Sequence, residues 1–306
     1  MIRYLHRRQI DDERWNRVIA ASRFETAYAQ TWYLDACAEN WGALILADYE
    51  CVMPVAFRKK LGIKYIYQPR FCQQLGVYSE KHVDYEISRM FLLALGKIFG
   101  LGDYAFNEGN QIKAEHGFKI SDNTNYTLQL TSSYEELKSG YTSNCRRNVR
   151  KAHHSGLEFS DDISIRELVL LKKQHDQKKY NHEHYRLLTD MFSRMKEAGH
   201  VRAYAAKLGA QYCAGAIFAY SNKRVHYLLS VSNEAGKDKS GMFQVIDKVI
   251  QLNAGKSMCL DFEGSNIASI ARFFKGFGAQ PHLYQRISVD NAAGKFIQKV
   301  RNVKSD

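Results

Sequence analysis

Six cationic or titratable side chains crowd into one decapeptide, Cys145-Arg146-Arg147-Asn148-Val149-Arg150-Lys151-Ala152-His153-His154. Ser143 is a fitting N-cap and Gly156 a fitting stop, so the spacing predicts a helix. At about 100° per residue, the two histidines with Arg146, Arg147, Arg150 and Lys151 cover an arc of roughly 160°. Cys145, Val149 and Ala152 form a thin apolar stripe opposite. Such a helix docks by its narrow edge and presents a wide cationic face. One reading is a solvated face at a domain junction. The other is a phosphate-contacting face, which relieves the mutual repulsion of the four Arg and Lys groups. The second makes Arg146, Arg147, Arg150 and Lys151 candidate binding residues for an anionic donor or acceptor. His153-His154 and His182-x-His184 lack metal-ligand spacing, so no metal is expected. No Ser/His/Asp or Cys/His arrangement argues for a covalent acyl-enzyme.

The elements that must position these residues come in two copies. Glu108-Gly109-Asn110, a helix-like stretch, Gly117-Phe118 and a strand through Tyr126-Thr127-Leu128 form the first. Glu263-Gly264-Ser265-Asn266, a longer helix-like stretch, Gly276-Phe277 and a strand through Leu283-Tyr284 form the second, about 155 residues later, too far for a solenoid period. Upstream of each lies a strand–turn–strand, Ala43 to Phe57 and Ala203 to Phe218, with Pro54 and Gly215 at corresponding places in the second strand. Both residues are poorly tolerated in a central ladder. The pattern predicts two copies of one mixed α/β domain, residues 1–135 and 136–306, each a mostly antiparallel sheet flanked by helices.

In the first half, helices are expected over Ile10–Ser22, Thr31–Asn40 and His82–Phe99, and strands over Ala43–Tyr49, Val52–Arg58, Ile63–Tyr67 and Tyr104–Asn107. The segment Pro69 to Val77, with Gln73 and Gln74, replaces a simple turn and is expected to line a cleft, making both glutamines candidate substrate ligands. In the second half, apolar periodicity predicts helices over Ile165–Lys179, Tyr185–Glu197, Gly241–Asn253 and Asn266–Lys275 and a final amphipathic helix. Strands are expected over Val201–Lys207, Tyr212–Tyr220, Val225–Val231, Met258–Phe262 and His282–Ser288.

Bulk properties fit this plan. The chain has 306 residues, 45% of them apolar, and only three prolines, which describes ordered globular protein. Six cysteines form no C-x-x-C pair, and Cys51, Cys213 and Cys259 lie in strand-like apolar runs as reduced core residues. No apolar run approaches about 18 residues, so no transmembrane span is expected. Met1-Ile2-Arg3 leads straight into charged sequence, and a cytoplasmic location is the expectation. A net charge of +12 attracts nucleic acid, anionic headgroups and phosphorylated small molecules alike, so peripheral membrane contact stays open.

The order of elements, together with Leu260-Asp261-Phe262-Glu263-Gly264-Ser265 and Ala271-Arg272-Phe273-Phe274-Lys275-Gly276-Phe277-Gly278-Ala279, resembles the GNAT-type acyltransferases of the Fem-like, two-domain branch. The Ser143–Ala152 stretch resembles the basic helix that these proteins carry at the junction, and Trp41 to Val77 resembles their first module. The resemblance implies an acyl donor threaded between two splayed strands, Val225–Val231 and Met258–Phe262. It matches the pyrophosphate-cradling turn of GNAT enzymes to Lys237-Asp238-Lys239-Ser240-Gly241-Met242, which has one glycine where the family has several. Free amides at a helix N-terminus bind phosphate without the full motif, so Lys237, Lys239, Ser240, Gly241 and Met242 are the expected cofactor ligands.

Acyl transfer to an amine needs a base, an oxyanion donor and a proton for the leaving group. Glu263, at the end of one splayed strand, is the candidate base; its alternative is an acidic cap for the following helix, which the repeated Glu108 supports. Of His226 and Tyr227, which alternate, only one can face the cleft, and Tyr227 is the catalytic candidate. Tyr284 is a further possible proton donor or a half-buried core residue. Lys275 is the third catalytic candidate, although Phe274 stands where Fem-type enzymes carry their lysine, about 100° round the helix.

The leading functional expectation is an N-acyltransferase using acyl-CoA as co-substrate on an amine, such as an amino sugar or a cell-envelope or exopolysaccharide precursor, with the N-terminal half a degenerate wall. The alternative uses aminoacyl-tRNA on a peptidoglycan precursor, but the sequence lacks a long heptad hairpin to serve as a tRNA-gripping arm. A non-catalytic nucleic-acid binder is the third class, and it lacks a recognition helix.

Overall fold

The computed structural model describes residues 1–60, 62–176 and 180–290. The final amphipathic helix expected after the last strand lies outside the described residues, as do residues 177–179; the helix expected to reach Lys179 already ends at His175, where Asp176 turns extended. The chain divides into two compact units: residues 1–124 with 283–306, and residues 125–282.

Unit 1 carries strands β1 (Ile2–His6), β2 (Trp41–Leu46), β3 (Cys51–Lys60), β4 (Ile63–Ile66) and β5 (Leu101–Ala105), with helices α1 (Asp12–Ala21), α2 (Thr31–Cys37) and α3 (Tyr85–Ile98). Asp11 caps α1 and Asp84 caps α3, each accepting the backbone N–H three residues on, which satisfies a donor that a helix start leaves orphaned. β6 (Phe118–Gln129) then runs out of unit 1 into unit 2.

Unit 2 continues with α4 (Tyr134–Ser139), α5 (Ser143–His154), β7 (Glu158–Ser160), α6 (Ile165–His175), α7 (His182–Glu197), β8 (Val201–Leu208), β9 (Gln211–Tyr220), β10 (Arg224–Ser232), α8 (Glu234–Asp238), α9 (Gly241–Asn253), β11 (Cys259–Asp261) and α10 (Ala268–Gly276). β12 (Gln280–Asp290) returns to unit 1.

The pairings repeat. In unit 1, β1, β2, β3 and β4 pair antiparallel in turn, β4 pairs parallel with β5, and β5 pairs antiparallel with β12. In unit 2, β7, β8, β9 and β10 pair antiparallel in turn, β10 pairs parallel with β11, and β11 pairs antiparallel with β6. The same mixed sheet is therefore built twice, as the duplicated motifs imply. Pro54 on β3 and Gly215 on β9 occupy the same strand of the two sheets. One feature goes beyond the repeat as written in sequence: the last strand is exchanged, β12 completing the sheet of unit 1 and β6 that of unit 2.

Most elements fall where periodicity puts them, and α9 matches its expected bounds. The helix-like stretch expected after Asn110 is not helical: residues 111–115 are irregular and the chain turns at 116–117 before β6. α2 stops at Cys37 rather than Asn40 because Ala38 is already extended. β1, β7 and the short helices α4 and α8 are additions that short, polar sequences hide.

The core of unit 2 is aromatic. Phe262 stacks on Phe274 at 4.8 Å between ring centroids, and Tyr227 meets Phe218 at 5.5 Å and Phe274 at 6.2 Å. Pairs of this kind contribute about 0.5–1.5 kcal/mol beyond their buried area. Val245, Ile246, Val249 and Ile250 of α9 are fully buried in the same cluster.

Candidate functional site

β10 and β11 run side by side for three residue pairs only, Arg224–Cys259, Val225–Leu260 and His226–Asp261. Beyond them β11 ends, while β10 continues to Ser232. A cavity of about 440 Å³ opens at this splay, lined by Tyr227 and Ser230 of β10, Phe262, Glu263 and Gly264 after β11, and Ser269, Ile270, Phe273 and Phe274 of α10. Tyr227 and Ser230 are three residues apart and in a regular strand would face opposite sides. They share the cavity because the register of β10 against β9 slips between Tyr227 and Leu229, a bulge that inserts one extra residue.

Glu263 reaches the cavity through a held turn. Its backbone is left-handed at φ 59°, and Gly264 follows at φ 53°, a conformation that costs a non-glycine residue about 1–2 kcal/mol. Asp261 offsets that cost: its Oδ1 accepts the Glu263 N–H at 2.9 Å, an Asx turn, and its Oδ2 accepts from Arg224 at 2.8 Å and from Asn125 at 3.2 Å. The Arg224–Asp261 pair is almost wholly buried, at 7% and 1% side-chain exposure, so removing either partner strands a charge. α10 begins only at Ala268, with Ile267 as its cap residue. Glu263 is therefore not the acidic cap of that helix, which corrects the alternative drawn from sequence.

Tyr227 and His226 separate as alternation requires. His226 is fully buried away from the cavity, and burial lowers it to about 4. Burial raises the pKa of Tyr227 to about 12, so its hydroxyl keeps its proton at neutral pH. Lys275 lies on α10, exposed, with its ammonium 5.7 Å from the centre of the Tyr126 ring, and it does not line the cavity.

The turn before α9 places the other candidates. Lys237 lies in α8 and is exposed, whereas Lys239 Nζ donates to the Ser155 carbonyl at 3.0 Å. Ser240 is left-handed at φ 61° and its hydroxyl donates to Asn148 Oδ1 at 2.9 Å. At Gly241 the fit is tight: a Cβ would lie 3.0 Å from Ala214 Cβ, which would have to give by a few tenths of an ångström. The N–H groups of Phe243 and Gln244 fold back on the Ser240 carbonyl, leaving those of Gly241 and Met242 at the helix start, where N–H groups point outward.

Asn148 belongs to α5 and Ser155 is its C-cap, so the basic helix is docked on this turn. Cys145, Val149 and Ala152 form its buried stripe, as predicted, and Thr142 rather than Ser143 caps it. Arg146, Arg147, Arg150 and Lys151 are exposed, and among the described residues none of them is in an ion pair. Arg146 donates to the Ser139 carbonyl at 3.2 Å and Arg147 to Asn144 at 2.7 Å. The α9 face beneath is held by Asp247, which accepts from Tyr134 and Tyr141 at 2.9–3.0 Å.

Gln73 and Gln74 lie in unit 1. Gln74 is buried, donates to Gln73 at 2.8 Å and accepts the Glu108 N–H at 3.0 Å, which is a structural task. Sequence reasoning reached Glu263 and Tyr227 but missed Ser230 and the α10 lining, since the bulge and the start of α10 decide which side chains face inward. Asp261 was legible in principle, as an Asp two residues before a turn Glu.

Residues 139–263 match the family model described as "Acetyltransferase (GNAT) domain". That match runs from the end of α4 to Glu263 and so takes in the basic helix, the α9 turn and the splayed strands. Solved structures extend the likeness of fold to most of the chain. FemX superposes with a TM-score of 0.66 at 11% identity, over 92% of this chain and 96% of its own. The C-terminal domain (DUF2156) of a putative lysylphosphatidylglycerol synthetase from Agrobacterium fabrum gives 0.58 at 11% identity, over 95% and 96%. A tandem GNAT protein from the clavulanic acid biosynthesis pathway gives 0.55 at 10%, over 95% and 100%. The fold is thus a Fem-like tandem GNAT fold. No curated protein matches the chain in sequence. Among the described residues, no helix is long and apolar enough to cross a membrane, and no group of three or more His, Cys, Asp or Glu side chains is placed to hold a metal.

Proposed function

We propose that the chain is an acyltransferase whose chemistry lies in unit 2, and that it moves an acyl group from a coenzyme A thioester to an amine. The observation that carries this reading is the open splay, with Glu263 and Tyr227 on one cavity. The donor's pantetheine arm enters beside β10, whose pairing with β11 stops at His226. Its phosphates rest at the start of α9, near Lys237. The acceptor amine attacks the thioester carbonyl after giving a proton to Glu263, directly or through water. Tyr227 returns a proton to the leaving sulfur. The aromatic walls exclude water, which strengthens each of these interactions. An amino sugar or an envelope or exopolysaccharide precursor fits as acceptor, and unit 1 is the non-catalytic copy. Calorimetry with acetyl-CoA and longer acyl-CoAs tests the donor: the reading expects one site per chain, and no binding by any of them contradicts it.

A second reading, aminoacyl-tRNA as donor to a peptidoglycan precursor, is favoured by one observation: Arg146, Arg147, Arg150 and Lys151 of α5 are exposed and, among the described residues, in no ion pair. Replacing Arg146 and Arg150 with alanine then weakens donor binding about tenfold or more, at about 1.5–3 kcal/mol for each charge-assisted contact, with an unchanged melting temperature. Binding of charged tRNA with a steep salt dependence, in place of acyl-CoA, moves this reading ahead.

A further inference from the structure

Two thiols that lie 35 residues apart in sequence meet in unit 1: Cys37 Sγ and Cys72 Sγ are 3.4 Å apart. Neither is in a disulfide. Cys37 is the last residue of α2 and is partly exposed, whereas Cys72 is 1% exposed. The backbone on the Cys72 side is held in place: its N–H donates to the Pro69 carbonyl at 3.2 Å and its carbonyl accepts from Gln68 at 2.7 Å. On the other side, the Tyr33 hydroxyl of α2 donates to the Phe71 carbonyl, tying α2 to the same segment. The two sulfurs are thus presented to each other by backbone that is already fastened, and need approach by only about 1.4 Å to reach bonding distance. The other four cysteines, Cys51, Cys145, Cys213 and Cys259, are buried, and none is recorded against another thiol.

We infer that Cys37 and Cys72 form a reversible intramolecular disulfide when the protein meets a hydroperoxide. Cys37, the accessible member, attacks as thiolate. Its sulfur bonds to one peroxide oxygen, the O–O bond breaks, and the other oxygen leaves as hydroxide, which takes up a proton. Cys72 sulfur then attacks the sulfenic sulfur of Cys37, the S–S bond forms, and the S–O oxygen departs as water with the Cys72 proton. Two thiols are oxidised and one hydroperoxide is reduced. The bond fastens α2 to the root of the segment whose residues Leu75 and Tyr78 pair with Phe106 and Val52, so oxidation stiffens this part of unit 1.

The test is peptide mapping of the full chain under non-reducing conditions, after stoichiometric hydrogen peroxide and alkylation in denaturant. The expected result is a cross-linked peptide containing Cys37 and Cys72, lighter by two hydrogens, abolished by dithiothreitol and absent in Cys37→Ser. The same oxidised wild type, but not Cys37→Ser, shows slower amide exchange over residues 72–78. Recovery of both cysteines as alkylated thiols, or of Cys37 over-oxidised without a cross-link, overturns the inference.

Discussion

The two units build the same sheet and treat its weakest point in opposite ways. In unit 2 the parallel strands β10 and β11 part after three pairs, and the gap is a cavity lined by Tyr227 and Glu263. In unit 1 the parallel strands β4 and β5 share a single pair, Ile66–Gly102, and residues 68–78 enter the gap. There Leu75 N–H donates to the Ala105 carbonyl at 2.8 Å, Tyr78 exchanges two hydrogen bonds with Val52, and Gly76 N–H donates to the buried Tyr104 hydroxyl. The protein's own main chain thus takes the position that a donor would take in the other copy. Glu108 shows the same divergence: its N–H is bound by Gln74, whereas Glu263 N–H is bound by Asp261 beside an open cavity. In unit 1 a loop satisfies strand groups that would otherwise be left without a hydrogen-bond partner.

The sharpest way to break this comparison is to replace each glutamate in turn. If Glu263 is the base proposed above, Glu263→Gln should lower kcat/KM about 10²–10⁴-fold, whereas Glu108→Gln should leave it unchanged. Equal losses in an acyl-transfer assay would mean that the copies are not functionally distinct.

A somewhat smaller effect comes from the plug itself. Gly76 sits at φ 109°, and a Cβ there would collide with Asn110 Oδ1 and lie 2.9 Å from the Asn107 nitrogen. Gly76→Ala should cost about 3 kcal/mol or more in urea unfolding while leaving donor affinity of the folded protein intact. A loss of affinity without a loss of stability would contradict the assignment of the plug to structure.

A third effect distinguishes the units by pH. His226 is held at about 4 by burial, against an ordinary value of 6.5. Between those values the unfolded chain binds a proton that the native state does not. Its contribution is therefore complete above pH 6.5, is lost as pH falls toward 4, and amounts to roughly 3 kcal/mol. Urea midpoints at pH 7 and pH 4.5 should show this loss, and His226→Gln should reduce it. An unchanged pH dependence in that variant would show that His226 is not the group responsible.

Much of this was legible in the sequence, for identifiable reasons. The repeated Glu-Gly motifs and the apolar periodicity of α9 and α7 report a core, and cores follow period and pattern. The stripe of Cys145, Val149 and Ala152 identified the docking edge of α5 for the same reason. What sequence hid depends on pairing between distant strands. The exchange of β6 and β12 leaves no local trace, because either strand satisfies the same edge. The plug at 68–78 reads as an overlong turn until its hydrogen bonds to Val52 and Ala105 are seen, and the Cys37–Cys72 contact spans too much chain for any spacing rule.

The most direct measurement is amide hydrogen exchange of the whole chain with and without a saturating acyl-CoA. Slowed exchange over residues 227–232, 237–243 and 262–264, with residues 66–79 and 102–108 unaffected, is the predicted result. Protection in the segment around Leu75, or none at the splay of β10 and β11, would contradict the claim that only the open copy holds the donor.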